Sequence, residues 1–350
     1  MNCVPRIKSA PLCRKTSKNY ELNQINVRQN RLQNKVAGSE FTLPFCAIAA
    51  IGMWWLPQQA FDVHCLMGLV LCLLTTYIVM ETNAQQHIIR IRTRMMSCVW
   101  LILAASLSFM HPLGEPIIAA AFLAVSHLLL FRCYQRHRPQ QLVFHAFLML
   151  GIGSFCAPVM LAMAIPFFLY LAIFLRTLTG KAFWAGVLGI IVPYWCYAVW
   201  CFVMGDMQSF VARMTDMAQL EMPSVELLAS LPFVWQVSAG VIALLSIISI
   251  LHYLSTNYDD KIRVRMILYI YVSQTLLLMA FLALQPAHYQ TTMALLVCSA
   301  SPLIAHYFSL SRTLLTTILF LLALLLVAGV ATLNLWLTSF TLQGGILNAL

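Results

Sequence analysis

Three carboxylates lie in short polar linkers between long apolar segments, where acid–base chemistry could take place. They are Asp62, Glu115 and Asp206. The first two each have a histidine within four residues, His64 and His111. A carboxylate beside an imidazole can act as a general acid and base. These three carboxylates are therefore the candidate catalytic residues, and the alternative interpretation is that they are solvated linker ends.

A second group consists of three arginines that follow another apolar segment, namely Arg132, Arg136 and Arg138. Arg132 and Arg136 are four residues apart and so can share a helical face, whereas Pro139 disfavours a helical conformation at Arg138. A guanidinium group is suited to bidentate binding of phosphate. The sequence thus predicts a site for a lipid phosphate, pyrophosphate or head group. The alternative is that these arginines only fix the orientation of the chain in a membrane.

Histidines and cysteines do not form a recognisable metal-binding pattern. Four histidines lie toward the same ends of their apolar segments: His127, His145, His252 and His306. Four imidazoles at one depth could bind a metal, but no two of them are four residues apart, and the eleven cysteines include no Cys-x-x-Cys pair. The sequence also has no glycine-rich nucleotide motif and no His-Glu-x-x-His. We therefore predict neither a metal nor a cofactor.

The composition defines the kind of protein that must position these groups. Of 350 residues, 61% are apolar and 9% are charged, with a mean hydropathy of +0.83. Soluble domains have about a quarter of their residues charged. The polar side chains are too few to cover a surface in water, which excludes soluble, disordered and collagen-like proteins. An integral membrane protein remains.

Apolar segments long enough to approach the membrane thickness recur about eleven times. They are residues 41–57, 61–80, 95–110, 116–131, 142–156, 158–175, 182–204, 232–254, 266–284, 291–309 and 313–337. Residues 142–175 are divided in two because one helix of that length would measure about 51 Å, and because Gly151, Gly153, Ser154 and Pro158 cluster at the midpoint. We predict an all-α, polytopic transmembrane helix bundle.

The basic residues predict the orientation of this bundle. With the N-terminus in the cytoplasm, twenty of the 21 lysines and arginines lie on the cytoplasmic side, and only Arg213 lies outside. This asymmetry is the one that membrane insertion imposes, and it accounts for the net charge of +10. Membrane lipids are then the expected partners of the basic residues, and nucleic acid is not.

The predicted organisation has three parts. Residues 1–40 form a basic, polar cytoplasmic tail that is mostly disordered, residues 41–337 form the transmembrane domain, and residues 338–350 form a short outward tail. The outward segment 205–231 has an amphipathic pattern. It is either a lid over an outward cavity or a linker that rests on the lipid surface.

Several stretches resemble an uncharacterised family of polytopic bacterial inner-membrane proteins. They are residues 91–94 (Ile-Arg-Thr-Arg), the His-Pro loop at 111–112, residues 131–139 and residues 188–195 (Leu-Gly-Ile-Ile-Val-Pro-Tyr-Trp). The resemblance covers about residues 41–310 and implies a location in the bacterial inner membrane but no activity. More loosely, the short basic loops look like those of envelope-polysaccharide polymerases and lipid-linked glycosyltransferases. Those enzymes have a long outward loop, which this chain does not have around residues 58–62.

Three functions follow from these observations. The leading hypothesis is that the protein handles or transports an amphipathic, lipid-linked envelope substrate such as a lipid-linked glycan, because the chain is apolar throughout, basic on its inner side and without ATP-binding motifs. One alternative is an outward-facing membrane glycosyltransferase or polysaccharide polymerase that uses the three carboxylates. The other is a structural subunit of a membrane complex with other membrane subunits.

Overall fold

The computed structural model of the chain describes residues 32–56, 62–218, 231–310 and 314–347. Within these ranges the regular structure is helical, with no strand. The helices are α1 (Leu32–Gly38), α2 (Thr42–Trp55), α3 (Val63–Gln86), α4 (Met95–Ala105), α5 (Glu115–Phe131), α6 (Gln140–Ser154), α7 (Pro158–Ala162), α8 (Ala164–Ile173), α9 (Gly180–Met204), α10 (Met207–Ala218), α11 (Phe233–Thr256), α12 (Ile262–Leu284), α13 (Tyr289–Leu310) and α14 (Leu314–Leu347). The all-helical bundle is confirmed.

Six of the described helices are long and apolar enough to cross a membrane unaided: α3, α9, α11, α12, α13 and α14. This makes the chain a multi-pass membrane protein. Four further apolar helical segments, namely α2, α4, α5 and the α7–α8 pair, have between 10 and 17 residues. The structure therefore supports the helical bundle but does not establish eleven crossings.

The predicted break within residues 142–175 is confirmed. Helix α6 ends at Ser154, Ala157 adopts an extended conformation, and Pro158 begins α7. The end of the Met160 side chain packs against the backbone of Gly153, where a Cβ would lie 2.5 Å from the Met160 Sδ atom. The residues on the two sides of the break are therefore in close contact.

The last described helix runs past the predicted C-terminal bound of the transmembrane domain. Helix α14 continues to Leu347, ten residues past the predicted end at 337, because neither proline nor a charged residue follows Arg312. Most of the predicted tail, residues 1–31, lies outside the described residues. Of the amphipathic segment 205–231, the structure describes α10, and residues 219–230 also lie outside the described residues.

Helix α13 forms the centre of the bundle. It is buried along nearly its whole length and packs against α4, α5, α11 and α12. Its polar residues, among them Thr292, Ser299, Ser301 and His306, are therefore buried with its apolar ones. A helix with no solvated face must place its polar groups against other helices. This is why His306 lies inside the protein.

The connections between helices gather at two opposite ends of the bundle. At one end the backbone N–H of Gln135 donates to the carbonyl of Leu175, 3.3 Å away, and Arg90 pairs with Asp260. The connections there are residues 87–94, 132–139, 174–179 and 257–261, and we call this the basic end. At the opposite end the indole of Trp54 donates to the carbonyl of His111, 2.9 Å away.

Candidate anion-binding site

Each of the three candidate catalytic carboxylates lies at the start of a different helix. Asp62 caps α3 by accepting a hydrogen bond from the backbone N–H of His64, at 2.9 Å. Asp206 accepts from the backbone N–H and the hydroxyl of Ser209, at 3.2 and 2.5 Å, and these bonds lower the pKa of Asp206. Glu115 is exposed in the first turn of α5. Among the described residues, neither a hydrogen bond nor an ion pair joins any two of them.

His111, the histidine nearest to Glu115 in sequence, has a structural role. Its ring stacks on Trp54 with centroids 4.3 Å apart, and its Nε2 donates to the carbonyl of Ala105, 2.9 Å away. Burial lowers the pKa of His111 to about 4, so the imidazole is neutral at physiological pH. No acid–base pair with Glu115 is assembled.

The four histidines that are predicted to lie at one depth do not form one cluster. His127 stacks against Phe131 and Phe167 at 5.5 and 5.6 Å, and His145 contacts the carbonyl of its own helical neighbour Gln141. Within the ranges that the structure describes, no group of three histidine, cysteine or acidic side chains is placed to hold a metal ion. The remaining two, His252 and His306, lie together at the basic end.

Two of the three arginines that are predicted to bind phosphate line a cavity. A cavity of about 470 Å³ opens at the basic end, between the ends of α3 and α5 and the starts of α6 and α12. We call it the arginine pocket. It is lined by Gln85, Gln86, Arg132, Tyr134, Arg136, Leu142 and Arg263.

Two consecutive glutamines at the end of α3 orient two of these arginines. The Nε of Arg132, just after α5, donates to the side-chain oxygen of Gln85 at 2.6 Å. A guanidinium N–H of Arg263, in the first turn of α12, donates to the side-chain oxygen of Gln86 at 2.5 Å. Consecutive residues point about 100° apart around a helix. Gln85 and Gln86 can therefore each reach a different neighbouring element.

The charge of the pocket is not neutralised within it. No carboxylate is among the described residues that line it, and an amide oxygen is neutral. The nearest compensation is indirect, because the amide of Gln85 donates in turn to the carboxylate of Glu81. Each guanidinium has five N–H donors, so Arg132 and Arg263 keep donors for a ligand. The ring of Tyr134 lies 5.7 Å from the Arg263 guanidinium and supports it.

A nucleophile is also present beside the pocket but is held in its neutral form. Cys133 is buried next to Arg132, and its thiol contacts the carbonyl of Leu129. Burial raises the pKa of Cys133 to about 12, against a smaller opposing effect of Arg136. A thiol is a poor nucleophile compared with a thiolate. The arrangement is suited to binding an anion and not to covalent catalysis.

Arg138 is exposed and is not part of this lining, whereas Arg132 and Arg136 are. Pro139 follows Arg138 and is the N-cap residue of α6. Arg263 is the third arginine that lines the pocket. Sequence analysis counted Arg263 only as a determinant of orientation, because it lies 177 residues from the glutamine that it contacts.

A buried ionic cluster lies beside the pocket. The side chain of Asp260 is completely buried, although the residue stands in a connection between helices. Its two carboxylate oxygens lie 2.8 Å from the Nε of Arg90 and 3.1 Å from the Nε2 of His306. We call these three residues the Asp260 cluster. Sequence analysis missed Asp260, because a carboxylate in a basic linker has the pattern of a solvated residue.

The structure thus defines a multi-pass helical membrane protein with an arginine-lined cavity at its basic end. No known protein family, curated protein or solved structure matches the chain. The function must be inferred from the chemistry of the cavity itself.

Proposed function

We propose that the protein is an eleven-span bacterial inner-membrane protein that binds the phosphate or pyrophosphate group of an amphipathic, lipid-linked envelope substrate in the arginine pocket and handles or transports it. One observation carries this proposal. Arginines from the α5–α6 connection and from the first turn of α12 line one cavity, and their charge is balanced by no carboxylate in the described lining. Guanidinium groups bind phosphate oxygens in pairs, so a phosphorylated head group has the matching charge and geometry.

The location of the pocket favours a substrate that is attached to the membrane. The pocket lies where α3 and α5 end and α12 begins, and α3 and α12 are both long enough to cross the bilayer. Basic residues at helix ends lie in the head-group region of the cytoplasmic leaflet. A lipid phosphate is already present at that depth, whereas a soluble phosphate would have to reach it from the cytoplasm.

Besides the six long helices, eleven crossings require α2, α4, α5, α6 and the α7–α8 pair each to run between the basic end and the opposite end. For example, α5 starts near His111 and ends at Arg132 in the arginine pocket. A tilted or locally thinned bilayer accommodates spans shorter than its core.

The topology is tested by reporter fusions on either side of the disputed segment 142–175. Fusions after Arg138 and after Lys181 should both report a cytoplasmic location, because α6 and the α7–α8 pair cross once each and return the chain to its starting side. An alkaline phosphatase and a green fluorescent protein fusion at each position measure this. Opposite locations for the two positions would contradict paired crossings by these helices.

The binding site is tested with lysine substitutions, which keep the charge and the orientation signal but remove the guanidinium fork. The full chain in phosphatidylcholine nanodiscs is titrated with inorganic pyrophosphate, and separately reconstituted with increasing phosphatidic acid. The triple variant Arg132→Lys, Arg136→Lys and Arg263→Lys should bind the preferred probe about tenfold more weakly, since a loss of ~1.4 kcal/mol changes affinity tenfold. Isothermal titration and native mass spectrometry measure the two probes.

Arg138→Lys is the matched control, because Arg138 lies on the same connection but outside the pocket, and its affinity should stay within about twofold of wild type. Tighter binding of phosphatidic acid than of pyrophosphate would identify a lipid-linked source of the phosphate, and the reverse would identify a soluble one. The proposal fails if the wild-type protein binds neither probe saturably, or if the triple variant and Arg138→Lys behave alike.

A further inference from the structure

We propose that His306, paired with Asp260, is a proton-binding site whose protonation strengthens the binding of anions in the arginine pocket. This inference rests on the proposed function of that pocket and names what regulates it. Its consequence is that a proton and an anion bind together, which is the requirement for proton-coupled transport of an anionic head group. The Asp260 cluster supplies a buried charged group for such coupling at the basic end of the bundle.

The cluster holds one permanent and one exchangeable cation around a buried carboxylate. Arg90 is charged at all relevant pH values, and it lies 2.8 Å from one oxygen of Asp260. Its side chain is 38% exposed, whereas that of Asp260 is fully buried. With neutral His306, Arg90 and Asp260 sum to zero charge, and protonation of the imidazole makes the cluster a monocation. Histidine is the side chain that exchanges protons near neutral pH.

The geometry of His306 assigns the nitrogen that takes up the proton. Its Nε2 lies 3.1 Å from an oxygen of Asp260, which can only accept, so Nε2 carries a hydrogen in the neutral ring. Its Nδ1 is buried and has no hydrogen-bond partner. Addition of a proton from water at Nδ1 produces an imidazolium that still donates from Nε2 to Asp260. No existing hydrogen bond of His306 needs to break.

Several titratable or charged groups face this pair from the surrounding helices. From α11, the ring of Tyr253 lies 5.5 Å from that of His306, and His252 stands next to Tyr253 and packs edge-on against Tyr307 of α13. From α12, the carbonyl of Arg265 accepts a hydrogen bond from Tyr253, and Tyr269 packs against the same tyrosine. Asp260 is the acidic group in contact with His306.

Two parallel contacts connect the cluster to the pocket. Gln86 and Arg90 lie four residues apart at the end of α3 and in the following connection, and Asp260 and Arg263 lie three residues apart at the start of α12. The contacts Gln86–Arg263 and Arg90–Asp260 therefore join the same two segments. The Cα atoms of Asp260 and Arg263 are at most about 10 Å apart, because three residues of chain span no more. A charge gained at the cluster acts on an anion beside Arg263 over a separation of that order.

Sulfate is the probe of choice, because its charge stays at minus two between pH 5.5 and 8. Any change of its affinity with pH then reports on the protein. The full chain in phosphatidylcholine nanodiscs is titrated with sulfate across this range. Wild-type affinity should rise about fivefold as the pH falls from 8 to 5.5, the effect expected for one added charge at roughly 10 Å in a partly solvated site. His306→Gln keeps a donor toward Asp260 but cannot take up the proton, and its affinity should not change with pH.

His252→Gln is the matched control, because it removes the neighbouring imidazole while Asp260 and His306 stay paired, and it should retain the pH dependence. If His306→Gln does not fold, histidine-labelled wild-type protein examined by NMR must show a buried imidazole that titrates in this range and whose pKa rises with added sulfate. Wild-type binding that is independent of pH, or a pH dependence that persists in His306→Gln, overturns the coupling alone. The absence of saturable binding of sulfate, pyrophosphate and phosphatidic acid at every pH overturns the proposed function together with it.

Discussion

Replacement of Asp260 by alanine is expected to lower the free energy of unfolding by about 3 kcal/mol. The substitution removes the partner of Arg90 and of His306 at once. Arg90 is partly exposed and can turn toward water, so its loss is moderate. His306 cannot turn toward water, because it is 1% exposed, and its Nδ1 already has no hydrogen-bond partner. Without Asp260 both ring nitrogens would be buried and unsatisfied, and each such group costs about 1–3 kcal/mol.

The measurement is reversible unfolding of the purified full chain in mixed detergent micelles, followed by tryptophan fluorescence. Glu40→Ala is the matched control, because Glu40 is an exposed carboxylate at the same basic end. Within the described ranges, only its backbone carbonyl accepts a hydrogen bond, from Arg94, and alanine preserves that carbonyl. Glu40→Ala should change stability by less than about 0.5 kcal/mol. Equal effects of the two substitutions would show that the Asp260 cluster does not hold the α3–α4 and α11–α12 connections together.

The helices could be predicted from the sequence because hydropathy and turn residues act locally. An apolar run must be helical if it is to satisfy its own backbone in lipid, and the break before Pro158 follows from the conformational limits of glycine and proline. The number of crossings does not follow in the same way. Segments such as Met95–Ala105 are shorter than the apolar core of a bilayer, and their role depends on the helices around them.

The candidate site was only partly predictable, because its members meet through tertiary packing. Two of the three predicted arginines line the pocket, but not through the shared helical face that their spacing predicts. Helix α5 ends at Phe131, and Arg132 and Arg136 stand in a turn that has Gln135 in the left-handed region. Arg263 and the glutamines that orient the arginines come from distant parts of the chain. Asp260 is more instructive still. It stands in a linker and was not among the candidate carboxylates, and only the central placement of α13 shows that His306 and Arg90 enclose it.

Gly68→Ala is expected to destabilise the protein by about 3 kcal/mol or more, as overpacking against a rigid backbone does. Gly68 lies inside α3, and a Cβ there would stand 2.1 Å from the carbonyl oxygen of His111 and 2.9 Å from the carbonyl carbon of Pro112. Both are backbone atoms, so the connection between α4 and α5 would have to move. That carbonyl of His111 accepts the indole N–H of Trp54 at 2.9 Å, and the N–H of Leu113 donates to the carbonyl of His64. Movement would weaken both bonds.

Gly52→Ala separates this contact from the general effect of alanine in a helix. Gly52 lies within α2, and nothing stands within 4 Å of the Cβ that it would gain. Alanine is favoured over glycine in a helix interior by about 1 kcal/mol, so Gly52→Ala should be neutral or stabilising under the same unfolding conditions. The two substitutions are chemically identical and are expected to differ in sign. If Gly68→Ala also proves neutral, α3 does not approach the α4–α5 connection as closely as its backbone indicates, and the contact between Trp54 and His111 cannot be what holds that end of the bundle together.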